Sequence, residues 1–382
     1  MSNEKPYYVI LTGSKNNAGD FLIKFRAKEL FEQLRPDRSV IDMDAWKPFS
    51  DKDLELVNGA EALILMGGPA LQKHMYPGIY PLVNDLDKIK VPITCMGIGW
   101  KSLSGNWSDS RGYPLLESTK QLLSRMLEDG LPMSVRDYHT LNVLHYSGVN
   151  HGLMTGCPAT YVTKKIGSSV ELKESRQVSF SLGVSFLESK SLEVQMKNLI
   201  LQTRELFKGA EFVVVFHHSL SDRFLKSHNA SNAHLDGHRE FASWLSQNDI
   251  KYIDISGSAE NLIEHYEQCD FHIGYRVHAH IFMSSISKPS VLIAEDGRGK
   301  ALRQVFGGLV FDAFENVQQG LLGKLKRKFG FGDTYEVATR VESEVIDNIR
   351  YELTNSLPRI LPTRHVIDSN FRVMERFLSE LP

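Results

Sequence analysis

The 382-residue chain has little cysteine, no long apolar run and almost no excess of charge. Its cysteines number 3, Cys95, Cys157 and Cys269, widely spaced and without a CxxC pair. That excludes a disulfide framework and a thiolate zinc site. No stretch approaches the ~18 consecutive apolar residues of a membrane-spanning helix. The opening Met-Ser-Asn-Glu-Lys-Pro lacks the apolar core of a secretion signal, so the expected setting is cytoplasmic and reducing. Lys plus Arg is 44 against 46 for Asp plus Glu, a net charge of −2. With a pI near 6.7, a broad basic nucleic-acid surface is excluded, since such domains sit above pI ~9. An anionic ligand would have to be met by locally placed cations.

What is present is a core. Hydrophobic residues make up 42% of the chain, ordinary for globular domains. Short apolar runs at Tyr7–Leu11, Val40–Met43, Ala62–Met66, Ile93–Ile98 and Met133–Val135 read as strands. After Asp20, expected as a helix cap, residues Ile23, Ala27, Leu30, Phe31 and Leu34 share one helical face. Lys164–Gln177 is polar and aperiodic and reads as a linker. A second strand series follows at Val178–Val184, Glu211–Phe216, Lys251–Ile255, Phe271–Gly274 and Ser290–Ala294, with a helix at Glu193–Leu206. His217–His238 reads as a polar loop before a helix at His238–Ser246. Strand–helix repetition with unalternating apolar strands predicts α/β architecture and parallel sheets. The expected division is an α/β domain over 1–165, a second over 178–310, and a C-terminal helical segment over 311–382. Lys324–Phe329, within the basic stretch 321–331, reads either as an interfacial element touching a lipid surface or as a solvated helix end.

Chemistry-bearing residues collect at predicted strand ends, where open α/β sheets bind ligands. Asn17, Gly19 and Asp20 follow the first strand; Asp20 caps the helix or acts on a substrate hydroxyl. Gly67-Gly68-Pro69 and Gly97-Ile98-Gly99-Trp100 follow later strands, and neither fits a G-x-G-x-x-G dinucleotide fingerprint. Ser134-Val-Arg136-Asp137 and Glu295-Asp-Gly-Arg298-Gly-Lys300 add cations. The strongest segment is Cys269 to His280, which sets Arg276 at a strand-to-helix junction and His278 in the first helical turn. A guanidinium forks onto carboxylate or phosphate, and a helix N-terminus adds backbone donors. His278 is then a proton donor once an anion is bound. Nine of the fourteen histidines lie between His217 and His280. Even so, His217 and His218 are strand neighbours pointing oppositely, no HExxH is present, and no metal is expected.

Taken in order, Asn17-Ala-Gly-Asp20, Gly67-Gly-Pro69, Gly97-Ile-Gly99, Ser134-Val-Arg-Asp137, Thr155-Gly-Cys-Pro-Ala159 and Asp270–His278 with Pro289–Lys300 resemble the polysaccharide pyruvyl transferase family. The resemblance covers roughly residues 7–310. It implies two Rossmann-like α/β domains facing a cleft, GT-B-like, with C-terminal helices, the first domain on the acceptor side and the second on the donor side. It implies phosphoenolpyruvate as co-substrate, no further cofactor, and a saccharide acceptor that is lipid-linked, nucleotide-linked or polymeric. The family's Arg-x-His residues map onto Arg276 and His278. Donor contacts are expected from Arg276, Arg136, Arg298, Lys300, Gly67 and Gly68. Acceptor contacts are expected from Asn17, Trp100, His217 and His218, and a base from Asp20. Cys157 departs from the family, which often carries an acid before that proline. The alternatives are a nucleotide-sugar glycosyltransferase or epimerase of the same fold, and a non-catalytic glycan-binding protein.

Overall fold

The structure is a computed structural model. It describes residues 5–15, 17–170, 173–222, 232–317, 333 and 335–382. The basic stretch 321–331 lies outside the described residues. The chain divides into two compact units, Met1–Ser14, Leu22–Gly167 and His365–Pro382 in the first, Lys15–Phe21 and Ser168–Arg364 in the second.

The N-terminal elements are β1 (Tyr7–Thr12), α1 (Ala18–Leu34), β2 (Ser39–Asp44), α2 (Asp51–Asn58), β3 (Ala62–Met66), β4 (Ile93–Met96), α3 (Trp107–Arg111), α4 (Glu117–Glu128), β5 (Met133–Val135), α5 (Tyr138–Tyr146) and β6 (Gly152–Met154). The sheet order is β2-β1-β3-β4, with β5–β6 a separate pair, and every pairing is parallel. Val9, Ile10, Leu63 and Ile64 are wholly buried. Covering a strand on both faces removes the polar half of the usual alternation, which is why these runs read as continuous apolar segments. Ile23, Ala27, Leu30 and Phe31 of α1 are buried as the spacing predicts. The chain reverses order between β1 and β3, so the segments after these two strands carry Gly13, Asn17 and Gly67-Gly68.

The second unit contains β7 (Gln177–Ser181), α6 (Lys190–Leu206), β8 (Glu211–Phe216), α7 (Asn232–Gln247), β9 (Lys251–Asp254), α8 (Ala259–Gln268), β10 (Phe271–Gly274), α9 (Val277–Ser285), β11 (Ser290–Ala294), α10 (Gly297–Val305) and β12 (Leu309–Asp312). Its sheet runs β12-β11-β10-β7-β8-β9, all parallel. Counted from β7, that is the Rossmann order 3-2-1-4-5-6, with the switch point between β7 and β10. β13 (Asn316–Val317) pairs antiparallel with β14 (Tyr335–Glu336), and α11 (Val341–Thr354) and α12 (Thr363–Ser379) follow.

Two expectations need correction. The segment 311–382 is not one helical piece: it opens on the end of β12, and Arg364 and His365 fall in different units. The strand was missed because Leu309–Asp312 is only four residues long and follows Gly307-Gly308. The helix expected to begin at His238 begins at Asn232. Its first turn is polar and carries no apolar period, but it places His234 and His238 one turn apart.

Candidate active site

The switch point of the second unit is built around Ser181, the last residue of β7. Gly274 ends β10 with φ +146°, and a Cβ there would lie 2.4–2.6 Å from the Ser181 backbone and hydroxyl, so only glycine lets the two strand ends meet. The Tyr275 N–H donates to the Ser181 carbonyl at 2.9 Å, and the Arg276 N–H donates to Ser181 Oγ at 3.0 Å. Ser181 Oγ also bonds His272 Nε2 at 2.9 Å. His272 Nδ1 and His280 Nδ1 each lie 2.7 Å from Ser290 Oγ. Burial pushes His272 well below the ordinary histidine value and brings His280 to about 3, so both are neutral members of a polar core network. That network fixes the backbone from which Arg276 and α9 spring.

Arg276 stands as the N-cap of α9, half-buried. Its Nη2 lies 3.5 Å from Asn17 Oδ1 and 3.4 Å from His218 Nε2. Burial draws the guanidinium down from its ordinary value, while the carboxylates of Glu295 and Asp20 oppose that and Arg298 reinforces it. The Asn17 side chain accepts the Gly19 N–H at 3.1 Å, so Asn17, not Asp20, caps α1. Asp20 sits in the first turn instead, where a carboxylate favours the helix N-terminus. The start of α1 packs against α9: a Cβ on Gly19 would stand 2.2 Å from His278 Nδ1. His278 is only 8% exposed. Asn17, Gly19, Asp20, His218, Arg276 and His278 thus come together in one unit.

Glu295, at the start of the β11–α10 loop, accepts the backbone N–H of Val184 and Ser185 at 2.9 and 2.8 Å and the Ser185 hydroxyl. Gly183 admits it: a Cβ there would lie 2.2 Å from the carboxylate. Burial pushes the Glu295 carboxyl up, and Ser185 and Arg276 pull against that. His217 is buried, with Nε2 2.9 Å from the Tyr266 hydroxyl, and burial together with Arg276 holds it well below its ordinary value.

A family model, polysaccharide pyruvyl transferase, matches residues 17–297, a span that takes in both the Asn17 loop and the Arg276–Glu295 region. The chain belongs to the polysaccharide pyruvyl transferase family. No curated relative matches by sequence. Among solved structures, it resembles the UDP-GlcNAc 2-epimerase of Methanocaldococcus jannaschii, at 12% identity and TM-score 0.50 over 98% of this chain and 99% of that one. It also resembles that of Neisseria meningitidis, at 10% identity and TM-score 0.50 over 98% and 100%. At such identities the likeness speaks for the fold, which is GT-B.

The remaining sequence-nominated residues of this family member have other placements. Arg298 is held by Asp296 at 2.6 Å, and that carboxylate raises its pKa. Lys300 reaches toward Asp312 at 3.8 Å and over the Phe314 ring at 5.0 Å. Its ammonium thus lies between the Asp312 carboxylate and the Phe314 ring.

Gly67, Gly68, Arg136 and Trp100 belong to the first unit. Gly67 and Gly68 have φ of +40° and +69°, and space is open where a Gly68 side chain would stand. Arg136 lies across Gly99, where a Cβ would come 2.0 Å from Nε. Its neighbour Asp137 caps α5 through the Thr140 N–H at 2.7 Å. Trp100 is wholly buried, stacked on His139 with ring centroids 5.4 Å apart, so no indole face is open to an acceptor. Trp107, which is 42% exposed and stacks on His139 from 4.0 Å, offers an accessible aromatic surface there.

Sequence reasoning missed Ser181 and Glu295. Ser181 sits in no recognisable motif, Glu295 lay in a segment read only for its cations, and both roles depend on strands far apart in the chain becoming neighbours.

Proposed function

We propose that the protein transfers pyruvate from phosphoenolpyruvate to a saccharide, as a ketal bridging two hydroxyls, with release of phosphate. The observation that carries this is the meeting of Arg276 and His278 of α9 with Asn17 and Asp20 of α1 at the switch point of one Rossmann-type sheet. The family match over 17–297 supports it.

The chemistry asks for an anion clamp, an acid and a base. Phosphoenolpyruvate carries a carboxylate and a phosphate joined through an enol. Protonation at C3 turns the CH₂ into CH₃ and leaves positive character at C2. A sugar hydroxyl adds to C2 and gives up its proton. A second hydroxyl then displaces phosphate from the same carbon, closing the ring. In this scheme Arg276 holds the anion, with the first N–H groups of α9 beside it. His278 delivers the proton to C3, and Asp20 receives the hydroxyl proton. A positioned acid or base contributes ~10²–10⁴-fold.

The test is phosphate release from phosphoenolpyruvate against a panel of saccharide acceptors, with mass spectrometry of the product. A mass gain of pyruvate less one water supports the reading. Saturable binding of a UDP-sugar with no phosphoenolpyruvate turnover on any acceptor would replace it with the nucleotide-sugar alternative. Binding of glycan without phosphate release would leave a lectin-like protein of the same fold.

A further inference from the structure

We propose that His218, His234 and His238 form a binding site for one divalent transition-metal ion of the zinc class. Each contributes one ring nitrogen, and the three lie within 4.8 Å of one another. Tetrahedral zinc, with Zn–N near 2.0–2.1 Å, sets its nitrogens about 3.3 Å apart, so small side-chain rotations close the set.

Three geometric features favour it. His234 and His238 are one helical turn apart on α7, so their side chains share a face, and their rings stack at 4.6 Å. His238 Nδ1 bonds the His234 carbonyl at 2.9 Å. This is the outer-shell arrangement that orients a ligating imidazole. The third ligand comes from a different element: His218 follows β8, its ring 6.0 and 6.1 Å from the other two.

An all-imidazole set suits zinc, copper or nickel and not magnesium or calcium, which prefer oxygen. Three protein ligands leave a fourth position for water or an anionic oxygen. The site adjoins the anion-binding end of the sheet through His218, which also faces Arg276. The strand-neighbour argument against a metal is met by a division of labour: His217 turns to Tyr266 and His218 to α7.

The proposal stands apart from the reading of the reaction, because its test needs neither donor nor acceptor. Full-length protein without a polyhistidine tag is stripped with a chelator, dialysed and titrated with Co²⁺. The expected result is one equivalent bound per chain, with visible d–d absorption of a four-coordinate ion that Zn²⁺ abolishes. His218→Ala and His234→Ala should each weaken Co²⁺ binding more than ~100-fold, beyond the 10–100-fold typical of an outer-shell partner. His74→Ala, an exposed histidine of the first unit, should bind as wild type. His234 is half-exposed on a helix, so its variant tests the site even if His218→Ala folds poorly; circular dichroism checks both. Absence of saturable Co²⁺ binding, or wild-type affinity in His234→Ala, overturns the proposal.

Discussion

Replacing Gly19 by alanine separates the catalytic reading of His278 from ordinary helix energetics. Glycine inside a helix costs about 1 kcal/mol relative to alanine, so the substitution would normally stabilise. Here the new Cβ would stand 2.2 Å from Nδ1, 2.6 Å from Cγ and 2.9 Å from Cβ of His278. Turning the ring relieves the first two contacts but not the third, so α1 and α9 must also shift. Overpacking of this kind costs roughly 1–3 kcal/mol. The net change in stability is therefore about 0–2 kcal/mol of loss, a few degrees in Tm for a unit of this size. The functional consequence is far larger. Displacing a catalytic group by about 1 Å costs about 10²-fold, so kcat for phosphate release should fall at least ~10²-fold. KM for phosphoenolpyruvate should move much less, because Arg276 is anchored from the other side by Ser181. Stopped assays of phosphate release with a confirmed acceptor, a thermal melt, and imidazole nitrogen NMR of His278 make the measurement. Wild-type kcat with a shifted His278 resonance would refute the role of His278 as acid. Wild-type kcat with an unshifted resonance would refute the packing.

Arg276→Lys keeps the charge and loses the fork; KM for phosphoenolpyruvate should rise at least ~10-fold, while Arg276→Ala should abolish most turnover, and unchanged kinetics in both would remove Arg276 from the site. Gly99→Ala in the first unit would place a Cβ 2.0 Å from Arg136 Nε, and a urea melt should show a loss of about 1–3 kcal/mol. His280, drawn by burial to about 3, binds a proton in the unfolded chain near pH 6.5 but in the folded chain only far lower. Its contribution is therefore intact above pH ~6.5 and is lost as the pH falls toward 3, at about 1.4 kcal/mol per unit. Urea melts should show about 2 kcal/mol less stability at pH 5 than at pH 7 from this group. His265, drawn to about 4, acts in the same direction. A His280→Asn variant whose melts lose as much as wild type over that range would contradict this.

The parts of the fold and site legible in the sequence are those set by neighbours along the chain. Phe271–Gly274 reads as a strand and Ala279–Ile286 as a helix, so Arg276 and His278 fall at a junction by counting alone. Gly67, Gly68 and Gly97 read as tight turns because few other residues accept positive φ, and all three have it. The capping assignment failed locally: Asn17 and Asp20 both cap well, and only the hydrogen bond to Gly19 decides for Asn17. Trp100 looked available because its loop is polar, yet its backbone N–H donates to Thr140 Oγ1 at 2.9 Å, 40 residues on, and its indole lies buried against His139. Ser181, Glu295 and the grouping of His218 with His234 and His238 depend on which strands become neighbours and where a polar helix begins. No short-range pattern carries that information.

The hydrogen bonding of Arg276 bears on which ligand the second unit takes. A guanidinium withdrawn from water needs acceptors, and two carboxylates are near enough to act on it. Glu295, however, is already engaged by the donors of Val184 and Ser185, and Asp20 acts on Arg298 as well. The side-chain contacts of Arg276, to Asn17 and His218, lie at 3.5 and 3.4 Å, beyond the 2.7–2.9 Å of a charge-assisted bond. Among the described residues, these are the side-chain contacts that hold the fork in place, and they are long ones. A carboxylate or phosphate entering at that point would gain two short bonds and displace only weak ones. A neutral sugar hydroxyl would gain one ordinary bond and leave the rest of the fork unsatisfied. The anion preference proposed for this site would therefore draw on the long contacts as much as on the charge. If a sugar nucleotide were the ligand instead, its diphosphate would meet the same preference, so Arg276 variants alone do not separate the two readings. What separates them is whether binding survives when the nucleoside is removed and only a small doubly anionic enol ester is offered.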